Sequence, residues 1–347
     1  MKIYTLLLSL FLFFQPLSAI SETVEKVSPS VVFIIGEYNA FEASYPDPWF
    51  FQEPLRPFYE WMWPSRHFQG SGFIVSEDGY VVTNEHVVDG MTDLLVVMQT
   101  GEKRIRKAHV VGKDRRSDIA VIKLENSEDE IFPTLTFGDS RNANIGDPVF
   151  VIGNPIDSLL ESTVTSGIVS AKDRNGKGMQ DIEGYIQTDA TINGGNSGGP
   201  LFDSKGEVIG VVAMIYNHFW GYEGIGLTIP AHFAERIAKQ IIENKKVTRG
   251  YFGARVDFSR ESAFGRYHFD AHDGAIIEDV RNNSPAEKAG LQVGDKILSI
   301  DGISIDSAYC FINEIQCYPA HSKIHLTVER DYEVLEIPVT LDYDVLN

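Results

Sequence analysis

The chain has 347 residues, enough for about two domains and for a large core without disulfide or metal staples. Hydrophobic residues make up 43% and charged ones 23%, ordinary globular usage that excludes collagen-like, low-complexity and largely disordered chains. The formal charge of −19, from 49 acidic against 30 basic groups, argues against a nucleic-acid binder, which must neutralise phosphates with Lys and Arg, and against docking on anionic lipid.

In chain order, residues 1–21 read as an export signal. Lys2 supplies the positive start, Ile3 to Phe14 the apolar run, and Gln15-Pro16 the break. Small residues then allow cleavage after Ala19 or Ser21. A membrane-spanning helix needs about 20 apolar residues, and this run is shorter. The mature chain is expected in an envelope compartment, the periplasm, with membrane association only if the signal stays uncleaved. That compartment permits disulfides. Only Cys310 and Cys317 occur, so a four-cysteine zinc site is excluded.

From Val24 to Leu124 the sequence is a series of short β-rich runs broken by Gly, Asp and Asn, such as Ser30–Ile35, Gly72–Val75, Tyr80–Thr83, Leu94–Met98 and Ile119–Leu124. A second series follows: Pro148–Gly153, Ser162–Ser170, Tyr185–Thr188 and Val208–Val212. Many short strands at regular spacing predict sandwiches or barrels, and two series in a row predict two barrels. Pro230 opens a helical pattern over Ala231–Ile242, with Phe233, Ile237, Ile241 and Ile242 as its apolar stripe. Glu243 to Arg249 is polar and basic and reads as a linker. After Gly250 the chain is β-rich again to Leu341. The expected units are therefore 22–245 and 246–347. Between Glu37 and Gln69 lies a long segment with five prolines and three of the four Trp, which forbids a regular helix or central strand. So many aromatics argue against plain disorder and suggest either an extra core folded back on its own domain or a subunit interface or substrate-contacting lid.

The chemistry concentrates at Gly194-Gly195-Asn196-Ser197-Gly198-Gly199-Pro200-Leu201. Glycines on both sides of one Ser let the backbone turn sharply and approach a substrate. Such a turn can aim the Gly195 and Ser197 N–H groups at one point beside the Ser197 hydroxyl, with Asn196 completing the turn. Two donors there would form an oxyanion hole. A serine hydroxyl needs a base. The base is best sought at His86, in Thr83-Asn84-Glu85-His86-Val87-Val88, and its orienting acid at Asp118, just before the apolar run Ile119–Leu124. The order His86, Asp118, Ser197 is that of double β-barrel serine proteases. His268 and His272 lie four apart without an accompanying carboxylate or Cys motif, so no metal is expected.

Together with Gly70-Ser71-Gly72-Phe73, Gly153-Asn154-Pro155, Thr163–Ala171, Ile186–Leu201 and Gly224–Pro230, these motifs make the chain resemble the HtrA/Deg family of envelope serine proteases over most of residues 22–245. The resemblance implies a mainly β protein: a chymotrypsin-like double β-barrel followed by a PDZ domain. It implies that Ser197 attacks the peptide carbonyl, that His86 carries the proton, that Asp118 holds the imidazole, and that no cofactor is needed. In that fold the pocket before the scissile bond would be lined by Thr191, Ile192, Val212, Ala213, Met214 and Ile215. No acid lies among them, so cleavage after Val, Ile, Ala or similar aliphatics is expected. Three places depart from the family pattern. Glu85 replaces the usual Asn or Ala before the base and adds negative charge that would raise its pKa. Ile156–Glu161 lacks the usual Phe-Gly, and Asn217–Glu223 is unusually aromatic.

The C-terminal stretches Ser284–Leu291 and Val293–Gly302 resemble a PDZ domain: a short helix ended by Gly, then a buried strand ending in Asp-Gly. By that resemblance Tyr251, Phe252, Gly253 and Ala254 form the loop that captures a peptide's C-terminal carboxylate, and the next strand pairs with the peptide. The insert Phe258–His272 separates that loop from the sheet. Cys310 falls within the expected groove helix Ser307–Gln316 and Cys317 at its end. Seven residues of straight helix span about 10.5 Å, whereas a disulfide needs less than about 7 Å. A bridge therefore requires the helix to end before Cys317, as Pro319 would favour. The expected protein is an exported endopeptidase acting on unfolded envelope proteins and C-terminal peptides, assembled as a homotrimer by family resemblance. The alternatives are a PDZ-regulated protease making one specific cut, and a chaperone or peptide-binding scaffold with a silent protease.

Overall fold

The structure, a computed structural model, describes residues 18–38, 67–99, 104–126, 130–154, 162–175, 180–215, 224–257 and 274–344. The aromatic segment between Glu37 and Gln69 lies almost wholly outside them, as do Ile156–Glu161, Asn217–Glu223, and Phe258–His272 with its two histidines. Most of the expected export signal also lies outside, but helix α1 (Ser18–Val27) runs through both expected cleavage points. It docks on the protein body: Thr23 Oγ1 donates to the Ser204 carbonyl at 3.0 Å, and Val27 is fully buried.

The chain is mainly β. Strands β1 (Val31–Tyr38), β2 (His67–Ile74), β3 (Tyr80–Thr83), β4 (Met91–Met98), β5 (Ile105–Asp114) and β6 (Ile119–Leu124) close a first antiparallel barrel in the order β1-β2-β3-β6-β5-β4. The one-turn helix α2 (Glu85–Val88) follows β3. Strands β7 (Pro148–Gly153), β8 (Thr163–Arg174), β9 (Tyr185–Thr188), β10 (Pro200–Asp203), β11 (Val208–Ile215) and β12 (Gly226–Pro230) close a second barrel in the order β10-β11-β12-β9-β8-β7. Strand alternation builds the cores. On β6, Ala120, Ile122 and Leu124 fill the first barrel, while Ile119 and Val121 join a second cluster shared with the other barrel. Closure leaves neither barrel an unpaired edge.

Helix α3 (Ala231–Asn244) seats Phe233, Ala234, Ile237, Ala238 and Ile241 in that shared cluster. It runs two residues beyond the expected Ile242 and stops where Lys245 turns left-handed at φ +63°.

The second unit opens with β13 (Gly250–Tyr251), which pairs with the last strand, β20 (Asp342–Tyr343). Its main sheet runs β14 (Ala254–Val256), β15 (Ala275–Val280), β16 (Lys296–Ile300), β18 (Lys323–Arg330), β19 (Glu333–Thr340), with β17 (Ile303–Ser304) paired to β16. Asp301 and Gly302 both take positive φ, +49° and +79°, the two-residue hairpin geometry that Asp-Gly favours. Helix α4 (Pro285–Lys288) is capped by Ser284, whose hydroxyl accepts from the Glu287 N–H. Helix α5 (Ala308–Cys317) is capped by Ser307 and packs Phe311 edge-on against Phe252, with centroids 5.1 Å apart.

Helix α5 also forms a seam with the barrels. Arg236 on α3 donates to Glu314 at 2.7 Å, and His232 Nε2 lies 3.5 Å from the same carboxylate. Asn313 accepts from the Glu183 N–H and donates to Asn175. Cys317 is buried in the cluster shared by the two barrels. Arg249 overturns the linker reading of its own position. Its side chain is 2% exposed and donates to both Asp114 oxygens, at 2.9 and 2.6 Å. The basic run in the sequence thus holds a structural arginine, because a fork of donors matches a carboxylate. The disulfide is likewise corrected. Both thiols are free, and α5 continues through Cys317, so the two residues sit on one uninterrupted helix, too far apart to bridge. Burial, the largest effect on each, pushes both thiols up to about 12.

Candidate active site

The three expected chemical groups come from separate structural devices. His86 is the second residue of α2, set by the end of β3. Asp118 lies between β5 and β6 with φ +57°, a left-handed conformation that Asp tolerates better than most residues. Such a backbone costs roughly 1–3 kcal/mol and persists only when its surroundings hold it. Here the Asp118 carbonyl accepts from the Glu85 N–H at 3.1 Å and from the Asn84 amide at 3.0 Å. The carboxylate accepts from the His86 backbone N–H at 3.0 Å. It is also paired with the imidazole: His86 Nδ1 lies 2.8 Å from Oδ2 and 3.0 Å from Oδ1.

Asp118 is buried, whereas the His86 ring is 31% exposed. Burial lowers the proton affinity of the ring, but the charge and hydrogen bond of Asp118, with a further push from Glu85, raise it above the ordinary value. The pair thereby fixes which ring nitrogen faces Asp118 and leaves Nε2 outside it.

Ser197 sits in the turn before β10 and is 8% exposed. The turn is held by the first barrel. The Ser71 N–H donates to the Ser197 carbonyl at 2.8 Å, and Ser71 Oγ donates to the Gly195 carbonyl at 2.6 Å. Thr83 Oγ1 then donates to the Ser71 carbonyl at 2.7 Å. Ser71, quoted in the sequence only as part of a motif, is therefore the clasp between barrels. Its signal was its place between Gly70 and Gly72, where the strand passes close to its neighbours. Gly198 is required at its position: φ is +83°, and a Cβ would meet the Ser71 carbonyl oxygen and Thr83 Oγ1 at 2.2 Å each.

Among the described residues, neither the Gly195 nor the Ser197 N–H donates to a protein acceptor. The Asn196 N–H is spent on the Asn193 carbonyl at 3.1 Å, so its backbone shapes the turn and that N–H is not a free donor beside Ser197. The Ser197 hydroxyl donates to the Ala213 carbonyl at 3.5 Å, and no hydrogen bond joins it to His86. The His86–Asp118 half of the constellation is thus closed and the Ser197–His86 half is open.

The six expected pocket residues divide. Ile192, Val212 and Ile215 pack inside the second barrel, whereas Ala213 and Met214 belong to the cluster shared by the barrels. Thr191 is exposed. A bulge between Val212 and Met214 interrupts the alternation of β11, so Ala213 and Met214 share one cluster while Val212 and Ile215 share the other. A Cβ on Gly226 would come within 2.4 Å of Ile192 Cδ1, so its lack of a side chain makes room for Ile192.

In the second unit the Tyr251–Ala254 loop packs on the turn before α4. The Arg281 N–H donates to the Gly253 carbonyl and the Ala286 N–H to that of Phe252. Gly253 has φ +83°, and a Cβ would meet Ser284 Cβ at 2.2 Å. Strand β14 is an edge strand, paired only with β15 among the described residues.

Two families match the chain: a trypsin-like peptidase domain over residues 70–211 and a PDZ domain over 250–341. A curated relative, "Probable periplasmic serine endoprotease DegP-like" of Chlamydia trachomatis serovar D, is 43% identical over 273 residues, 79% of this chain and 54% of that protein. A relative of the same name from Halomonas elongata is 39% identical over 291 residues, 84% of this chain and 60% of its own length. The chain thus spans about half the length of the curated relatives it matches. Among solved structures, "HtrA-type protease AlgW with tripeptide" superposes with a TM-score of 0.66 at 30% identity, covering 94% of this chain and 97% of that one. The same protease with a decapeptide gives a TM-score of 0.62 at 30% identity, over 94% and 98%. With solved relatives matched across nearly the full length of both chains, this chain belongs to the HtrA-type proteases.

Proposed function

We propose that the chain is a periplasmic serine endopeptidase that cuts unfolded polypeptides. The observation that carries this reading is the buried Asp118 carboxylate paired at 2.8 Å with His86, beside a turn whose Gly195 and Ser197 amides meet no protein acceptor among the described residues. Ser197 Oγ attacks the carbonyl carbon and passes its proton to His86 Nε2. Asp118 stabilises the resulting imidazolium without taking the proton. The Gly195 and Ser197 N–H groups stabilise the oxyanion, each by roughly 3–4 kcal/mol. His86 then protonates the leaving amine, and water repeats the sequence on the acyl-enzyme. The names of the curated relatives support a periplasmic location.

A permanently unfolded substrate such as casein tests the reading. The parent protein should degrade it, and Ser197→Ala should lower kcat by about 10⁶-fold. Cut sites should follow Val, Ile or Ala; a majority after Lys or Arg overturns the aliphatic preference. Equal activity in parent and variant overturns the mechanism.

The Tyr251–Ala254 loop and the edge of β14 are the proposed site for a peptide C-terminus. The working unit is proposed to be a homotrimer, in which the aromatic segment 37–69 serves contact or access. A light-scattering mass equal to one chain contradicts that assembly.

One observation favours a second reading, a protease switched on through its PDZ domain. Ser197 Oγ bonds to Ala213 rather than His86. Arg116, two residues before Asp118, reaches Gln316 on α5 at 2.8 Å and Asp344 at 3.4 Å. If casein survives until a C-terminal peptide is added, this reading replaces constitutive degradation.

A further inference from the structure

Glu85 stands one residue before His86, and its carboxyl is 2% exposed. Oε1 lies 3.4 Å from Lys113 Nζ. The same ammonium is hydrogen-bonded to the carboxylate of Asp89, which is also buried. Oε2 is buried and has no hydrogen-bond partner among the described residues. One cation therefore serves two buried carboxyls, and half of one is left unsolvated. A buried charge in that position is poorly compensated. Burial first, then the charges of Asp89 and Asp118, push Glu85 up to about 7 against the pull of Lys113.

The groups facing Glu85 come from every neighbouring element. Lys113 comes from β5, Asp118 from the turn before β6, Asp89 from the end of α2, and His86 stands beside it. Strand β2, which also packs on α2, carries one titratable residue, His67 at its start. The coupling to His86 is short and rigid. Asn84, Glu85 and His86 all donate to Asp118, through one amide side chain and two backbone N–H groups.

We propose that Glu85 is a positioning residue for the His86 proton, acting through the field of a buried carboxylate whose one cation among the described residues is shared with Asp89 and so cannot cancel it. The inference rests on the protease reading of His86. When Glu85 ionises, it favours the imidazolium, and His86 keeps its proton to higher pH. The two groups then titrate as a pair rather than singly. The free base that accepts the Ser197 proton becomes available at higher pH than Asp118 alone would dictate.

The test uses Glu85→Gln, which keeps shape and removes charge. First, the His86 ring is titrated by NMR in the Ser197→Ala chain with and without Glu85→Gln, so that no cleavage is needed. The His86 midpoint should fall by about one unit on losing Glu85. Second, kcat/KM is measured against pH with Ser197 intact, and the acidic limb should move to lower pH by the same amount. Third, carboxyl signals of labelled Glu in the unsubstituted chain should include one whose curve shares its steps with His86. This measurement holds even if the variant fails to fold. A His86 midpoint that is unchanged or higher in the variant overturns the proposal. So does an ideal one-proton His86 curve with no coupled carboxyl. A lowered midpoint in a chain that cleaves nothing upholds the tuning and counts against the protease reading, so the two failures are distinguishable.

Discussion

The seam between the barrels and the PDZ domain holds its carboxyls differently from the catalytic cleft. At the seam, Glu314 is buried but faces both Arg236 and His232. Burial alone would raise its pKa; those two partners more than offset it, and the carboxyl is held below its ordinary range. Asp114 is matched by both arms of Arg249 and also accepts from the Ser117 N–H and hydroxyl. In the cleft, Glu85 is just as buried yet shares one lysine, and its pKa moves the other way. Burial is common to both regions; the number and geometry of donors decides the sign. Satisfied carboxyls hold the two units together, and the unsatisfied one sits beside His86.

The comparison breaks most strongly at Arg249. Arg249→Met leaves Asp114 buried without its cation and should cost about 3–5 kcal/mol in urea unfolding. Adding Asp114→Asn should recover most of that loss. An Arg249→Met chain as stable as the parent would show that the pair holds nothing. A smaller effect is expected at Glu314. Its folded pKa is depressed, so its contribution is present above the unfolded value near 4.5 and is lost as pH falls through the folded one. Glu314→Gln should therefore destabilise by about 1.5–3 kcal/mol at pH 7, and by progressively less as pH falls below 4.5. The smallest effect has the opposite sign. The folded pKa of Glu85 is raised to about 7, so its favourable contribution is complete below about 4.5 and fades as pH climbs through 7. Glu85→Gln should thus be neutral at pH 4.5 and stabilise by on the order of 1 kcal/mol at pH 8. Parallel pH curves for the two variants would erase the distinction.

How far the sequence could be read differs from residue to residue. The two barrels were legible because short β-rich runs alternate with turn residues throughout. The Ser197 turn was legible because its glycines mark a backbone that L side chains cannot follow, as the Gly198 geometry bears out. The capped helix and Asp-Gly hairpin of the second unit were legible for the same local reason. Arg249 was not: in a basic run it looks like solvated linker, and its partner lies 135 residues earlier. The Cys310–Cys317 spacing left the bridge open, because it depended on where α5 stops. How Val212 to Ile215 divide between two clusters was not legible, because it depends on a bulge in β11 that the sequence does not mark.

By itself the sequence determined the architecture, the order of the reactive groups and the turns that expose them. These are written in local chemistry: glycines where φ is positive, apolar periodicity where strands are buried, caps where helices begin. Only the tertiary structure decided that Asp118 takes a left-handed backbone, that Ser71 clasps one barrel to the other, that Ser197 turns to Ala213 instead of His86, and that Arg249 lies inside. Each depends on which distant groups share a buried site, since a charge or hydroxyl away from water takes its role from its partners.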